Sequence, residues 1–374
     1  MSDAETLLKQ ARTFANEVVQ PNVTGWERAR SFPREAFFAA AEAGLTAIET
    51  PVAHGGLGLS FSVKAKVSEI LGAADYGFAM AILNTQNIGA KLARDASPDV
   101  AARYIPDILS AERIGCTALT EPGAGSDFAA ISTMARPDGD GWVLDGEKAW
   151  IINAAVADLV VCYVQTEPGS GGKGIAAFLI DGQRAGFERL PPFEVAGEYT
   201  IGAGGFRLKS YRVEAGEMLQ PPGQAFKSAL HSINGARIYV AAICCGMVSA
   251  CLEAAADYGR ARSTFGKPLV GHQGWRWALA EAEVDLAAAR LMVQEAAGQI
   301  DRDENAMQTA ARTKIFATWM ATRHIPALAQ LMGAEGLREA YPFGRHQIGA
   351  RMACFTDGST EMLLERLSDA YSKA

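Results

Sequence analysis

The sequence predicts an α+β fold, mainly α, built as an N-terminal helical domain over 1–113, a central β-barrel-like domain over 114–222 and a C-terminal four-helix bundle over 223–374. Three observations predict it: apolar residues at helical spacing before about Arg113, alternating β-prone runs between Ile114 and Leu219, and long helical patterns after Pro221-Pro222-Gly223. A chain of 374 residues also exceeds what one ordinary core organises, so several packed units are expected.

In the first part, Leu7, Leu8, Ala11, Phe14 and Val18, then Phe37, Phe38, Ala41 and Leu45, recur at the spacing of one helix face. Pro21, Pro33, Pro51 and Pro98 are expected to cut this segment into short helices, because proline lacks the amide that a helix interior uses. In the second part, Trp142-Val143-Leu144, Leu159 to Val164 and Phe206-Arg207-Leu208 read as strands. Asp138-Gly139-Asp140-Gly141 and the Gly-Ser patch Gly169-Ser170-Gly171-Gly172 read as hairpin turns between them. In the third part, 225–262, 275–300, 304–332 and 359–371 have lengths suited to the helices of a bundle.

Composition narrows the function. With 35 Lys+Arg against 42 Asp+Glu the net charge is −7, so the chain has no overall cationic field to attract phosphate backbones and no nucleic-acid partner is expected. The longest apolar run, Ile238 to Leu252, is bracketed by Arg237 and Glu253 and falls short of the roughly 18 residues of a bilayer crossing, so a buried helix and no membrane partner are expected. The acidic start Met1-Ser2-Asp3-Ala4-Glu5 lacks the basic and apolar regions of a secretion signal and predicts a cytoplasmic protein. Six cysteines without CxxC spacing, two of them adjacent at Cys244-Cys245 in the most apolar segment, read as reduced core residues.

Standard catalytic motifs are missing. The five histidines never fall at HxxxH spacing, and no metal is expected. The Gly-Ser patch before Lys173 lacks GxxxxGK[ST], Gly202-Ala203-Gly204-Gly205 is not a dinucleotide fingerprint, and no Gly-x-Ser-x-Gly elbow occurs. Two segments of the central domain stand out. Leu119-Thr120-Glu121-Pro122-Gly123-Ala124-Gly125-Ser126-Asp127 leaves a strand into a Gly-rich turn whose amides and hydroxyls suit a polar planar ring or a pyrophosphate; its alternative reading is a tight β-turn. Glu147-Lys148-Ala149-Trp150-Ile151-Ile152-Asn153 then puts an indole at a strand end, where it can stack on a flat cofactor.

With these motifs, the chain resembles the acyl-CoA dehydrogenase flavoproteins over nearly its whole length. Glu42-Ala43-Gly44-Leu45, Pro51, Gly55-Gly56-Leu57-Gly58, the turn at 120–127, the Trp150 segment, Arg262-Ser263-Thr264-Phe265-Gly266-Lys267-Pro268, His272-Gln273, Gln330-Leu331-Met332-Gly333 and Tyr341-Pro342 carry the likeness in order. The resemblance implies FAD between the β domain and the bundle. Leu119, Thr120, Gly125, Ser126, Trp150 and Ile152 would line the isoalloxazine side, with Ser126 also facing the acyl thioester. Arg262, Thr264, Phe265 and Gln273, with Gln330 and Gly333, would reach the pyrophosphate and adenosine of a neighbouring subunit, and Ser359 and Glu361 complete the cofactor set. A guanidinium at Arg262 suits phosphate oxygens because it forms paired hydrogen bonds. Asn234, Arg237 and Gly358 would join Ser126 on the substrate.

The family reaction removes an α-proton with a carboxylate while the β-hydrogen passes to the flavin, and an electron-transfer flavoprotein takes the electrons. Phe355-Thr356-Asp357-Gly358-Ser359-Thr360-Glu361 matches the base loop, so Asp357 stands where the family usually has glutamate. Its alternative role is a turn or helix-start residue. The other position at which the family carries a base is Ala236, before Arg237. Ile152 replaces a threonine whose hydroxyl donates to the flavin, Ile348-Gly349 replaces an Arg-Asp pair, and Gly333-Ala334 replaces Gly-Gly. The helix matching Phe78 to Ala90 lines the family's acyl pocket and here carries Asn84, Gln86 and Asn87, which suit either a short or polar acyl group or a solvated helix face. The resemblance therefore implies α,β-dehydrogenation of a short or functionalised acyl thioester, on CoA or an acyl carrier protein, by a homotetramer or homodimer. Another acyl-thioester reaction such as β-elimination, or a subunit completing the FAD site of a paralogue in a hetero-oligomer, are the alternatives.

Overall fold

The computed structural model describes residues 2–372, so the ends of the two expected outer domains, Met1 and Lys373-Ala374, lie outside the described residues. The chain starts on a capping box: the Ser2 hydroxyl accepts from the Glu5 amide, and the Glu5 carboxylate accepts from the Ser2 amide at 2.9 Å, which opens α1 (Asp3–Phe14). A π-helical turn, Ala15–Val19, runs directly into α2 (Gln20–Ala29). Pro21 therefore does not cut the helix as expected. It sits in the first turn of α2, where the wider π-turn has already shifted the hydrogen-bond register.

After α3 (Arg34–Glu42) come α4 (Phe61–Ala74) and α5 (Tyr76–Asp95), both longer than the short helices the prolines suggest, because neither contains one. Caps start them instead: the Ser60 hydroxyl accepts from the Val63 amide, and the Asp75 carboxylate accepts from the Phe78 amide at 2.8 Å. Pro98 opens α6 (Pro98–Leu109).

Eight strands follow: β1 (Gly115–Ala118), β2 (Met134–Asp138), β3 (Gly141–Ile151), β4 (Leu159–Gln165), β5 (Ile175–Asp181), β6 (Phe187–Arg189), β7 (Gly204–Val213) and β8 (Met218–Gln220). They form one sheet in the order β6-β7-β3-β2-β4-β5-β8, with β1 added parallel to β4. Asp138 pairs with Gly141 in the expected β2–β3 hairpin, and the Gly-Ser patch joins antiparallel β4 and β5. Strands β4 and β5 are buried on both faces. Leu159, Val161 and Tyr163 pack with Ile88 and Tyr104 of the N-terminal helices, while Val160, Cys162 and Val164 pack with Phe178 and Phe206 inside the sheet.

The C-terminal part contains α7 (Ala225–Ala261), a small hairpin of β9 (Ser263–Thr264) and β10 (Lys267–Pro268), α8 (Gln273–Asp301), α9 (Met307–Leu331), α10 (Phe343–Phe355) and α11 (Thr360–Ser372). Helix α7 has the length and apolarity to cross a membrane, but Asn234 to Val248 are buried by surrounding helices, as a core helix is. It approaches α4 closely: a Cβ on Gly246 would lie 2.1 Å from the Glu69 carbonyl oxygen, and one on Gly72 would lie 2.7 Å from the Ile243 backbone. One element departs from expectation. The fourth helix packed into the bundle, against α7 and α9, is α10, whereas α11 leans on α9. Helix α10 escapes pattern reading because Gly344, Arg345, His346, Gln347 and Gly349 break up its apolar face, although Phe343, His346, Gly349, Ala350 and Ala353 are buried. All six cysteines are free and buried.

Candidate active site

A cavity of about 800 Å³ lies between the β domain and the helices α4, α5, α7, α10 and α11. Its first wall comes from the Gly-rich turn. The turn is a tight one: the amides and carbonyls of Glu121 and Ala124 bond each other, at 2.9 and 3.2 Å. A buried charge locks it. The Glu121 carboxylate accepts from the Ser132 amide and hydroxyl, from the Thr133 amide and from the Lys148 ammonium at 2.8 Å, and Lys148 also donates to the Leu119 carbonyl. Burial opposes the charged carboxylate, but Lys148 and these donors outweigh it and hold Glu121 down to about 2. Glu121 and Lys148 are the lock that motif reading passed over; the signal was an acid and a base at the ends of two β-prone runs. The turn thereby presents Leu119, Thr120, Gly125 and Ser126 to the cavity, and the Thr120 and Ser126 hydroxyls make no hydrogen bond among the described residues.

Trp150 stands at the end of β3 after a break in the β3–β7 register. Its φ of 57° is left-handed, an uncommon state for a bulky residue that costs about 1–3 kcal/mol, and its ring, 63% exposed, stacks on Phe193 at 4.3 Å. Asn153, also left-handed, anchors the bend by donating to the Ala81 and Gly115 carbonyls at 2.8 and 2.9 Å. Ile151 and Ile152 follow Trp150 on the cavity wall.

The opposite wall carries the base loop. Asp357 and Gly358 both have positive φ, 55° and 103°. Arg237 donates to the Asp357 carbonyl at 3.0 Å and to the Asn234 side chain at 2.9 Å; Lys314 donates to the Gly358 carbonyl at 2.5 Å; the Tyr76 and Thr356 hydroxyls bond at 2.9 Å. The Arg237 and Lys314 bonds use the loop's main chain and leave the half-buried Asp357 carboxylate without a hydrogen bond among the described residues. The residue capping α11 is Ser359, whose hydroxyl accepts from the Met362 amide, so the helix-start role belongs to Ser359 and not to Asp357. Burial raises Asp357 above the ordinary carboxylate range, with Lys314 and Arg237 opposing. Burial also lowers Lys314 to about 8 and Arg237 to about 10.

The residues singled out by motif fall into two groups. Leu119, Thr120, Gly125, Ser126, Trp150, Ile152, Arg237, Asp357, Gly358 and Ser359 line the cavity together. Asn234 is buried behind Arg237 and positions it, so it is not on the wall as a substrate contact. Glu361 is exposed on the first turn of α11 and does not line the cavity. Arg262, Thr264, Phe265 and Gln273 sit on the β9–β10 hairpin and the start of α8, with Phe265 97% exposed, and Gln330 and Gly333 lie at the end of α9. The amides of α5 are not a solvated face: Asn84 and Gln86 are buried, and Asn84 and Asn87 line the cavity.

Three consecutive family models cover the chain: the acyl-CoA dehydrogenase N-terminal domain over 1–112, the middle domain over 116–211 and the C-terminal domain over 223–371. The chain belongs to the acyl-CoA dehydrogenase family. It is 31% identical to the mitochondrial short-chain specific acyl-CoA dehydrogenase of Bos taurus, across 97% of this chain and 88% of that protein. It is 28% identical to the 3-(aryl)acrylate reductase of Clostridium sporogenes, across 96% and 95%. The structure of butyryl-CoA dehydrogenase from Megasphaera elsdenii superposes with a TM-score of 0.95 at 27% identity, across 100% and 99%. As an acyl-CoA dehydrogenase family member the chain is a flavin oxidoreductase acting on CH–CH bonds, with FAD as cofactor. The cavity fits that group: the indole and isoleucines give flat apolar surface, and the unpaired Thr120 and Ser126 hydroxyls give polar contacts for a ring edge.

Proposed function

We propose that the chain dehydrogenates an acyl thioester, borne by CoA or an acyl carrier protein, at its α,β-position, with Asp357 as the base that takes the α-proton. One observation carries this reading. Two carboxylates line the cavity, Glu49 and Asp357; Glu49 is paired with Lys64, whereas Asp357 is unpaired, raised in basicity by burial and held by main-chain bonds from Arg237 and Lys314. Bound FAD supplies the two-electron acceptor for the β-hydrogen. Leu119, Thr120, Gly125, Ser126, Trp150 and Ile152 hold its ring side, and apolar Ile152 offers no hydroxyl to it.

Arg262, Thr264, Phe265 and Gln273, with Gln330 and Gly333, serve the phosphates and adenosine of FAD in a second copy. The exposure of the β9–β10 hairpin supports this, as do Trp277, Val284 and Leu291, spaced by seven along α8 and each at least 60% exposed, which form an apolar stripe suited to assembly into a homodimer or homotetramer. A soluble electron-transfer flavoprotein is the acceptor in this reading. Anaerobic addition of saturated butyryl-CoA to the purified yellow protein tests it: bleaching of the flavin is expected. Butyryl-CoA has no β-leaving group, so conversion of 3-hydroxybutyryl-CoA to crotonyl-CoA with the oxidised spectrum intact indicates an elimination without net oxidation, and a colourless or inert homo-oligomer indicates a subunit serving a paralogue.

A further inference from the structure

Beside the base loop, the cavity wall carries a second polar cluster that the reaction itself does not use. Lys64 of α4 is almost fully buried, yet it points into this region: its ammonium donates to Glu49 at 2.6 Å and to the Asn87 side-chain oxygen at 2.5 Å, and lies 5.2 Å from the ring centres of both Phe61 and Tyr239. The Asn87 amide donates to the Tyr239 hydroxyl, and the Gln86 amide to the same Glu49 oxygen. Glu49, Lys64, Asn84, Asn87 and Tyr239 all line the cavity. Tyr239 links the cluster to the chemistry, because its hydroxyl feels the charges of both Asp357 and Glu49. An alkyl chain ending here would meet an ion pair and two amides. Covering these groups with hydrocarbon strips their remaining contact with water and returns no hydrogen bond.

The inventory of free valences says what the cluster accepts. The cation is already held by two acceptors and two rings. Among the described residues both hydrogen bonds to Glu49 end on its Oε2 and its Oε1 accepts none, and its side chain is 24% exposed. Asn84 donates one of its two amide hydrogens to the Met80 carbonyl, and its oxygen accepts no hydrogen bond among the described residues. Free acceptors, these two and the buried, unpaired Gln86 Oε1, therefore stand beside a carboxylate that repels a second one, and the remaining N–H groups and the Tyr239 O–H are met by a hydroxyl, which donates and accepts. We propose that Glu49, Lys64, Asn84 and Asn87 form an acyl-end recognition site for a thioester whose chain carries a hydrogen-bond donor, a hydroxyl or a protonated amine, in preference to a plain alkyl or a carboxylate-bearing chain. This deepens the dehydrogenase reading and rests on it.

The test is calorimetric binding to the FAD-loaded Asp357→Asn protein, which holds thioesters without turning them over. The probes are 4-hydroxybutyryl-CoA, 4-aminobutyryl-CoA, their isostere pentanoyl-CoA, and glutaryl-CoA. The donor-bearing probes are expected to bind at least about tenfold more tightly than pentanoyl-CoA, because an unpaired buried acceptor costs roughly a tenfold factor or more. A second protein adds Glu49→Leu and Lys64→Met together. Removing both charges leaves neither unpaired, so folding is expected to survive, which thermal unfolding checks. In it the preference is expected to vanish. Pentanoyl-CoA or glutaryl-CoA binding as tightly as the donor-bearing probes, or a preference that persists in the folded triple variant, overturns the site. Neither result touches the dehydrogenase reading, which butyryl-CoA bleaching of the unsubstituted protein tests separately; failure of every thioester to bind overturns both.

Discussion

Replacing Asp357 by Asn removes the proton acceptor with almost no change of volume and leaves the Arg237 and Lys314 bonds to the loop carbonyls in place. A positioned general base contributes about 10²–10⁴-fold, or about 3–5 kcal/mol of barrier, so anaerobic flavin reduction by a saturated thioester is expected to slow by that factor while FAD stays bound. The pH profile gives a second measure. Burial raises Asp357 above its ordinary value, so the parent rate is expected to fall on the acid side through that raised value, and this limb is expected to disappear in the variant. Stability moves the other way. The folded protein holds the Asp357 proton more tightly than the unfolded chain, so ionisation weakens folding as pH rises from about 3.8 through the raised value. Asp357→Asn is therefore expected to melt no lower than the parent at neutral pH. Stopped-flow absorbance and thermal unfolding measure both effects. A variant that reduces its flavin within about tenfold of the parent rate, with the same acid limb, refutes Asp357 as the base.

Three further outcomes follow from the same geometry. Glu121→Gln strands the fully buried Lys148 ammonium and is expected to cost about 3–5 kcal/mol in denaturant unfolding; a loss under about 1 kcal/mol contradicts the lock on the Gly-rich turn. Trp150→Ala removes the stacking indole and is expected to weaken FAD binding on the order of tenfold, read from flavin fluorescence on titration into apoprotein; unchanged affinity removes Trp150 from the cofactor site. Glu198 is buried with Asp75 and Glu27 around Arg345, and burial followed by the Asp75 charge raises it well above the ordinary value. Stability is therefore lost as pH rises from about 4.5 through its folded value, and Glu198→Gln, which can still accept from the Gly77 amide, is expected to gain melting temperature over the parent increasingly as pH rises from about 4.5 toward that raised value. A constant difference across that range contradicts the reading.

The division of the chain into helices, strands and helices was legible because the periods of apolar residues differ, and β4, α7 and α9 announce themselves in this way. The turn at 119–127 was legible as a Gly-rich exit from a strand and Trp150 as an indole at a strand end, whereas Asp357 was legible through the likeness of 355–361 to the family's base loop. Helix α10 was not legible, since its buried face is made of Gly, Ala and His and has no strong stripe, and Pro21 misled because the π-turn before it is invisible in a single sequence.

What the sequence determined by itself, then, was local: element type, the indole and the amides of α5, with the candidate carboxylate supplied by the likeness to the family's base loop. Pairing across distance was decided by the tertiary structure alone. Glu49 meets Lys64 and Asn87 only where α4, α5 and the loop before α4 converge, Glu121 meets Lys148 only across the sheet, and the Asp357 loop is held by Arg237 from α7 and Lys314 from α9. The physical reason is that an ionisable side chain carries no sign in its own sequence of what will neutralise it. Whether Lys64 is a solvated charge or the floor of a binding site depends on partners that only folding brings within hydrogen-bond reach.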